Sequence, residues 1–191
     1  MNILLLVSKQ DAKSKLFNKS LLEFTLSRLE PKHRVFVYSL DSTIEQRVGS
    51  RFFSAKNNMD ALRKFADKQD VFMVISRLAI CDINFDNLIN YHNNHDKSVT
   101  LVCKNFVKDK SIPIYQLDDT KSVTAVTRRR FADCGIYLFK NKVNLNSYKN
   151  IYTIITDAIK NKILKGFVHK GYWWTAANIR RRDNGNTFNT G

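Results

Sequence analysis

Proline and glycine are scarce, 2 and 6 in 191 residues, which excludes collagen-like and low-complexity architectures. Cysteine is scarce too. Cys81, Cys103 and Cys134 are far apart and show no CxxC spacing, so buried reduced thiols are expected rather than a disulfide framework or a zinc ribbon. No apolar run approaches the ~20 residues that span a bilayer. The first residues lack a basic region and a small-residue cleavage site, and a soluble, cytoplasmic protein without a membrane span is the expectation. Acid is in deficit: 17 Asp and Glu stand against 32 Lys and Arg, a formal net charge of +15.

Hydrophobic residues make up 43% and aromatics 12% of the chain, which argues against intrinsic disorder. A chain of this size buries roughly 70% of its unfolded surface, enough for a core without metals or crosslinks. One domain is expected over residues 1–182, with 183–191, DNGNTFNTG, as a frayed tail. The charge invites a nucleic-acid reading only where it clusters. It does so at Arg128 to Arg130, and from Lys160 to Arg182, where seven Lys or Arg occur without an acid.

Aliphatic runs of strand length recur at Ile3 to Val7, Val35 to Ser39, Val71 to Ser76, Val99 to Cys103 and Gly135 to Phe139. Consecutive apolar positions suit strands covered on both faces. Between them lie helical periods: Leu22, Leu26 and Leu29; then Ala61, Leu62, Phe65 and Ala66; then Ile151, Ile154, Ile155, Ala158, Ile159 and Ile163. Such alternation predicts an α/β protein, a Rossmann-like three-layer α/β/α structure around a mixed, mostly parallel sheet. Ligands of open α/β sheets bind beyond the carboxyl ends of the strands. There, the segment after Val7 has no glycine and reads SKQDAKSKLFNKS, a solvated loop whose lysines would hold phosphate only as point charges.

Six segments, in order, resemble sugar-1-phosphate nucleotidyltransferases. NKSLLEFTLSRL (18–29) is similar to the family's G-K-P-L-L-E-Y helix, and NNMDALRKFADK (57–68) to its glycine-rich turn and A-L-x-x-A helix. VFMVISRLAICDINFDNLINYHNNHDKSVTLVCK (71–104) resembles the central segment, and LDDTKSVTAVTRR (117–129) the hairpin before the Glu-Lys pair. DCGIYLF (133–139) resembles N-A-G-I-Y-x-F, and KGFVHKGYWWTAANI (165–179) the G-Y-W-x-D-I-G ending. The resemblance implies the nucleotidyltransferase-like fold and a nucleotide or sugar-nucleotide ligand. It implies substrate-binding roles for Ser76, Arg77, Asp133 and Gly135, with Lys15 or else Lys19 as a stand-in for the phosphate lysine.

The departures fall on the chemistry. The G-G-x-G-T-R loop is absent, the Gly-Asp that supplies a metal carboxylate is Arg77-Leu78, the Glu-Lys pair is Thr127-Arg128, and the second metal Asp is Thr175. In that family a sugar-phosphate oxygen attacks the α-phosphate of a nucleoside triphosphate, and Mg²⁺ neutralises the developing charge. Without those ligands the expectation is a catalytically degenerate relative of the enzymes of nucleotide-sugar synthesis, with no catalytic residues, metal or cofactor, acting as a binding or regulatory subunit with a protein partner. Leu78 and Thr175 are then expected to face each other across a cleft near Gly135. An active divergent enzyme is the alternative, needing Mg²⁺ on Asp82, Asp118, Asp119 or Asp133, two of them within shared-metal reach. A basic nucleic-acid-binding protein is the third class. His92 and His95, with Asp96, have a spacing that could chelate a metal, although His92 coincides with a family histidine without metal duty. Tyr172, Trp173 and Trp174 are read as core or cleft wall.

Overall fold

A computed structural model describes residues 1–16, 18–105, 113–127, 131–140 and 143–176. The arginines at 128–130 and 180–182 and the expected tail lie outside them. The chain runs β1 (Asn2–Leu6), α1 (Lys9–Lys13), β2 (Lys15–Leu16), β3 (Lys19–Ser20), α2 (Leu21–Leu29), β4 (Arg34–Tyr38) and α3 (Ser42–Val48). It continues through α4 (Asn58–Ala66), β5 (Val71–Ile75), β6 (Ala79–Cys81), α5 (Phe85–Asn93), β7 (Val99–Asn105), β8 (Ile114–Leu117) and β9 (Val123–Thr127). Last come β10 (Phe131–Lys140), α6 (Ile151–Lys160), β11 (Leu164–His169) and β12 (Trp173–Thr175). Among the described residues no helix is long and apolar enough to cross a membrane.

The main sheet has the order β11-β7-β10-β5-β1-β4, with β8 and β9 carried on β10. Strands β4, β1 and β5 pair in parallel, as do β7 and β11. Strand β10 runs antiparallel between the two groups, so the sheet is mixed. Period-2 alternation divides the aliphatic runs between two cores. Ile3, Leu5, Met73, Ile75, Ile136 and Leu138 face α2, α3 and α5. Leu4, Leu6, Phe72, Val74, Tyr137 and Phe139 face α4 and α6. The three-layer α/β/α expectation is met by this division.

Local chemistry sets the helix ends. Ser20 and Glu23 form a capping box at α2, in which Ser20 Oγ accepts the Glu23 N–H at 3.2 Å and Glu23 Oε2 accepts the Ser20 N–H at 2.7 Å. Helix α6 ends at Lys160, three residues short of the expected stripe. Lys162 takes φ +58°, and the Ile163 N–H reaches back to the Ala158 carbonyl at 2.9 Å. That is a Schellman stop with lysine where glycine usually stands. Ile163 still packs on the same core from beyond the helix. The lysine-rich stretch after Val7 is not a plain loop: Ser8 caps the short α1, and β2 and β3 form a hairpin.

His92 and His95 do not form a metal pair. Both rings lie on one hydroxyl: His92 Nδ1 is 2.8 Å and His95 Nε2 2.7 Å from Thr100 Oγ1. The Lys97 N–H donates to His95 Nδ1 at 3.1 Å, so neutral His95 carries its hydrogen on Nε2 and donates to Thr100. Thr100 then donates to His92 Nδ1, which leaves the His92 Nε2–H buried without a partner among the described residues. Burial, then the charges of His95 and Lys140, hold His92 down to about 3.

Two expectations follow. Ile155 is buried under the sheet, so Ile155→Asp, which strands a charge in apolar packing, should lower the unfolding free energy by about 3 kcal/mol or more. Urea titration checks this, and a loss below about 1 kcal/mol would contradict the packing described. The second concerns acid. Because the folded-state value of His92 lies below the ordinary 6.5, the unfolded chain takes up the proton first. The stability from the neutral ring is therefore complete above pH 6.5 and is lost on the way down to about 3, at up to about 1.4 kcal/mol per pH unit. His92→Gln should flatten the stability curve between pH 7 and 5. Parallel curves for variant and wild type would refute the assignment.

Candidate functional site

An open cleft lies at the carboxyl ends of β1, β4 and β5, formed by adjoining hollows of about 510 and 710 Å³. The chain leaves β1 toward β4 on one side and returns to place β5 on the other, so the cleft sits where the strand order reverses. At such a switch point the connections diverge and leave a crevice. Leu6, Leu40, Asn58 and Ser76 line both hollows. Val7, Ser8, Lys9, Ser39, Asp41 and Ser42 complete the first, and Asn57, Met59, Arg63, Lys149, Asn150, Ile151 and Tyr152 the second.

Two walls are apolar yet wet: Leu40 is 78% exposed and Tyr152 49%. Small hydroxyl and amide side chains surround them, a lining that suits a planar heterocycle with polar edges. Asp41 caps α3, and the Thr43 hydroxyl and N–H, followed by the charges of Lys9 and Lys13, hold its carboxyl below the usual range. Lys149 has no hydrogen bond or ion pair among the described residues. Arg63 is already committed, donating to the Leu145 and Tyr148 carbonyls at 3.2 and 2.7 Å, and it ties the loop before α6 to α4.

Four of the five substrate-binding residues expected from sequence come together, and the fifth does not. Ser76 follows β5, and its N–H donates to the Gly135 carbonyl at 2.8 Å. Gly135 has φ +71°, and a Cβ there would sit 2.6 Å from Arg77 Cβ, so only glycine lets β10 pass this close. Arg77 donates to the Asp133 carbonyl oxygen at 3.1 Å. The Asp133 carboxylate points inward, accepting the Gly135 N–H at 2.6 Å and the Tyr137 hydroxyl at 2.7 Å. Burial pushes it above the usual carboxylate range against the pull of these bonds. Of the four, only Ser76 lines the cleft. Lys15 is exposed on the β2–β3 hairpin and is not part of the lining.

Leu78 and Thr175 are close but do not face across a cleft. Strand β12 pairs with β6, setting Thr175 opposite Ala79, next to Leu78, whose side chain is wholly buried in the core. The four carboxylates considered as metal ligands have separate surroundings. Asp82 pairs with His169 at 3.0 Å, Asp118 holds its own turn through Thr120 and Ser122, Asp119 is exposed beside it, and Asp133 is interior. Among the described residues no group of three His, Cys, Asp or Glu side chains could hold a metal ion. Trp173 is core, whereas Tyr172 and Trp174 pair with ring centroids 5.6 Å apart.

Leu40, Ser39 and the segment from Lys149 to Tyr152 were not singled out from sequence. Asn57 and Asn150 cap α4 and α6, and both caps open on the cleft.

No family model and no curated protein sequence matches the chain. Solved structures do. A glucose-1-phosphate thymidylyltransferase from Bacillus anthracis, described with a sucrose, superposes with a TM-score of 0.75 at 13% identity, over 99% of this chain and 97% of that one. HddC from Yersinia pseudotuberculosis, in a complex with GMP-PN, gives 0.63 at 11% identity over 94% and 96%. A CMP:2-keto-3-deoxy-manno-octonic acid synthetase complexed with CTP gives 0.69 at 12% identity over 96% of that chain and 95% of this one. At such identities the likeness is one of fold, and the fold of this chain is that of the nucleotide-sugar nucleotidyltransferases.

Proposed function

We propose that the chain binds a nucleotide or sugar nucleotide in the cleft over β1, β4 and β5, as a binding or regulatory subunit related to nucleotide-sugar synthesis rather than as a metal-dependent transferase. The observation that carries the reading is the cleft itself, at the switch point, walled by the exposed Leu40 and Tyr152 and rimmed by hydroxyl and amide groups. Two structures of the same fold are complexes with CTP and with GMP-PN.

The degenerate part of the reading rests on residue chemistry. Transfer to a nucleoside triphosphate needs oxygen ligands for a hard cation between its phosphates. Leu78 belongs to the core, Thr175 supplies no carboxylate, and Asp82 is matched to His169. Phosphate affinity then falls to point charges such as Lys9 and Lys149, which neutralise without assembling an in-line geometry.

Thermal unfolding with ATP, CTP, GTP, UTP and their sugar conjugates, in Mg²⁺ or in chelator, tests this. A ligand at a hundred times its Kd adds about 2.7 kcal/mol to the native state and must raise the Tm. The expected result is a rise with at least one nucleotide that chelator does not remove. Leu40→Asp, at an exposed position, should weaken that binding about tenfold while leaving the unliganded Tm unchanged. Release of pyrophosphate from any nucleoside triphosphate and sugar-1-phosphate pair would overturn the degenerate reading. A steep salt-dependent affinity for generic RNA or DNA, without nucleotide binding, would overturn the cleft assignment.

A further inference from the structure

Strand β10 carries the one irregularity at the centre of the sheet. Its pairing with β7 shifts register between Asp133 and Tyr137, so Cys134, Gly135 and Ile136 oppose Val102 alone. Such a bulge leaves backbone groups without ladder partners. Here they are taken up from inside and from β5. The Asp133 carboxylate accepts the Gly135 N–H, and the Gly135 carbonyl accepts both the Ser76 N–H at 2.8 Å and the Ser76 hydroxyl at 3.3 Å.

A second route joins the same residues. Tyr137 donates its hydroxyl to Asp133 at 2.7 Å, and the Ser76 hydroxyl faces the Tyr137 oxygen. The Tyr137 hydroxyl gives its hydrogen to the Asp133 carboxyl, so toward Ser76 its oxygen can only accept. Both neighbours of the Ser76 hydroxyl on the inner side, the Gly135 carbonyl and the Tyr137 oxygen, are therefore acceptors. The hydrogen of Ser76 is spent inward, and its lone pairs are turned to the cleft.

We propose that Asp133 is a positioning residue for the cleft: through the Gly135 bulge and the Tyr137 hydroxyl it fixes the place and polarity of the Ser76 hydroxyl, which then meets the ligand as an acceptor. The inference rests on the cleft being a nucleotide site. Asp133 itself touches no ligand, being 3% exposed behind the strand. A group that acts only through Ser76 has an effect on binding that disappears when Ser76 is already silent.

Two measurements on the full chain test it. The first is a double-mutant cycle of Asp133→Asn and Ser76→Ala, read as the Kd of whichever of ATP, CTP, GTP and UTP the wild type binds most tightly. Each single change should weaken binding about three- to tenfold, the worth of one hydrogen bond, and the double variant no further than the worse single. Multiplying losses would overturn the proposal. Tyr137→Phe, which keeps the bulge bond to Gly135, should give a smaller loss that also vanishes in Ser76→Ala.

The second measurement needs no ligand. Hydrogen exchange of the Ser76 amide, whose partner is the Gly135 carbonyl, should quicken at least about tenfold in Asp133→Ala, which removes the acceptor of the Gly135 N–H, while Thr100→Val, a change in the separate histidine cluster, leaves it alone. Unchanged Ser76 protection in Asp133→Ala would overturn the proposal whatever the binding data. Quickened exchange in a protein that binds none of the four nucleotides would sink the nucleotide reading and leave the coupling intact.

Discussion

Strand β10 runs against both its neighbours at the middle of the sheet, and the rest of the molecule is arranged around accommodating it. A continuous parallel sheet would not need a strand bent at its centre, but here β5 ends and turns away at Ser76 exactly where β10 must pass. Gly135 makes the passage sterically possible, with its positive φ and the 2.6 Å that a Cβ would leave to Arg77. Asp133 makes it energetically possible, because an unpaired N–H at this depth would cost on the order of 1–3 kcal/mol. The carboxyl has its own desolvation cost, partly offset by the Gly135 N–H, the Tyr137 hydroxyl and the nearby Arg77 charge.

The sequence made the strands and helices legible because burial on two faces leaves a simple trace. Ile3 to Val7 and Val71 to Ser76 alternate between two cores, so every position is apolar, and the length of each run limits it to a strand. The same logic misjudged the end of α6. Ile163 continues the apolar stripe because it faces the same core, but Lys162 has already left the helix, and a lysine in the left-handed region carries no compositional signal. The lysine-rich stretch after Val7 misled in the other direction: α1 is too short to show a period, and its cap is one serine in a polar run.

The candidate site was less legible. Gly135, Asp133, Ser76 and Arg77 were reached through the resemblance of their segments to a family, and of the four only Ser76 lines the cleft. The cleft walls carry no restriction of residue type. Leu40 looks like any aliphatic residue after a strand, and only its 78% exposure separates it from the core leucines on either side of it in the chain. Lys149 and Tyr152 lie more than a hundred residues from Leu40 and reach the same cleft through the crossover of α6. Distance in sequence hides a contact that a spacing argument has no means to detect.

Leu78 shows how packing and chemistry compete for one position. Its side chain is fully excluded from water among Leu88, Ile80 and the other residues of the first core, a burial worth roughly 1.5–3 kcal/mol. A carboxylate placed there without a cation would meet apolar surroundings and raise its proton affinity rather than stay ionised. Such a group stabilises a fold only when the metal is present. A leucine stabilises it always, by tightening the contact between the β6–β12 pair and α2 and α5. Thr175, opposite Ala79 on β12, offers a hydroxyl and no carboxylate, so an acid placed at position 78 would meet the full desolvation cost of the first core.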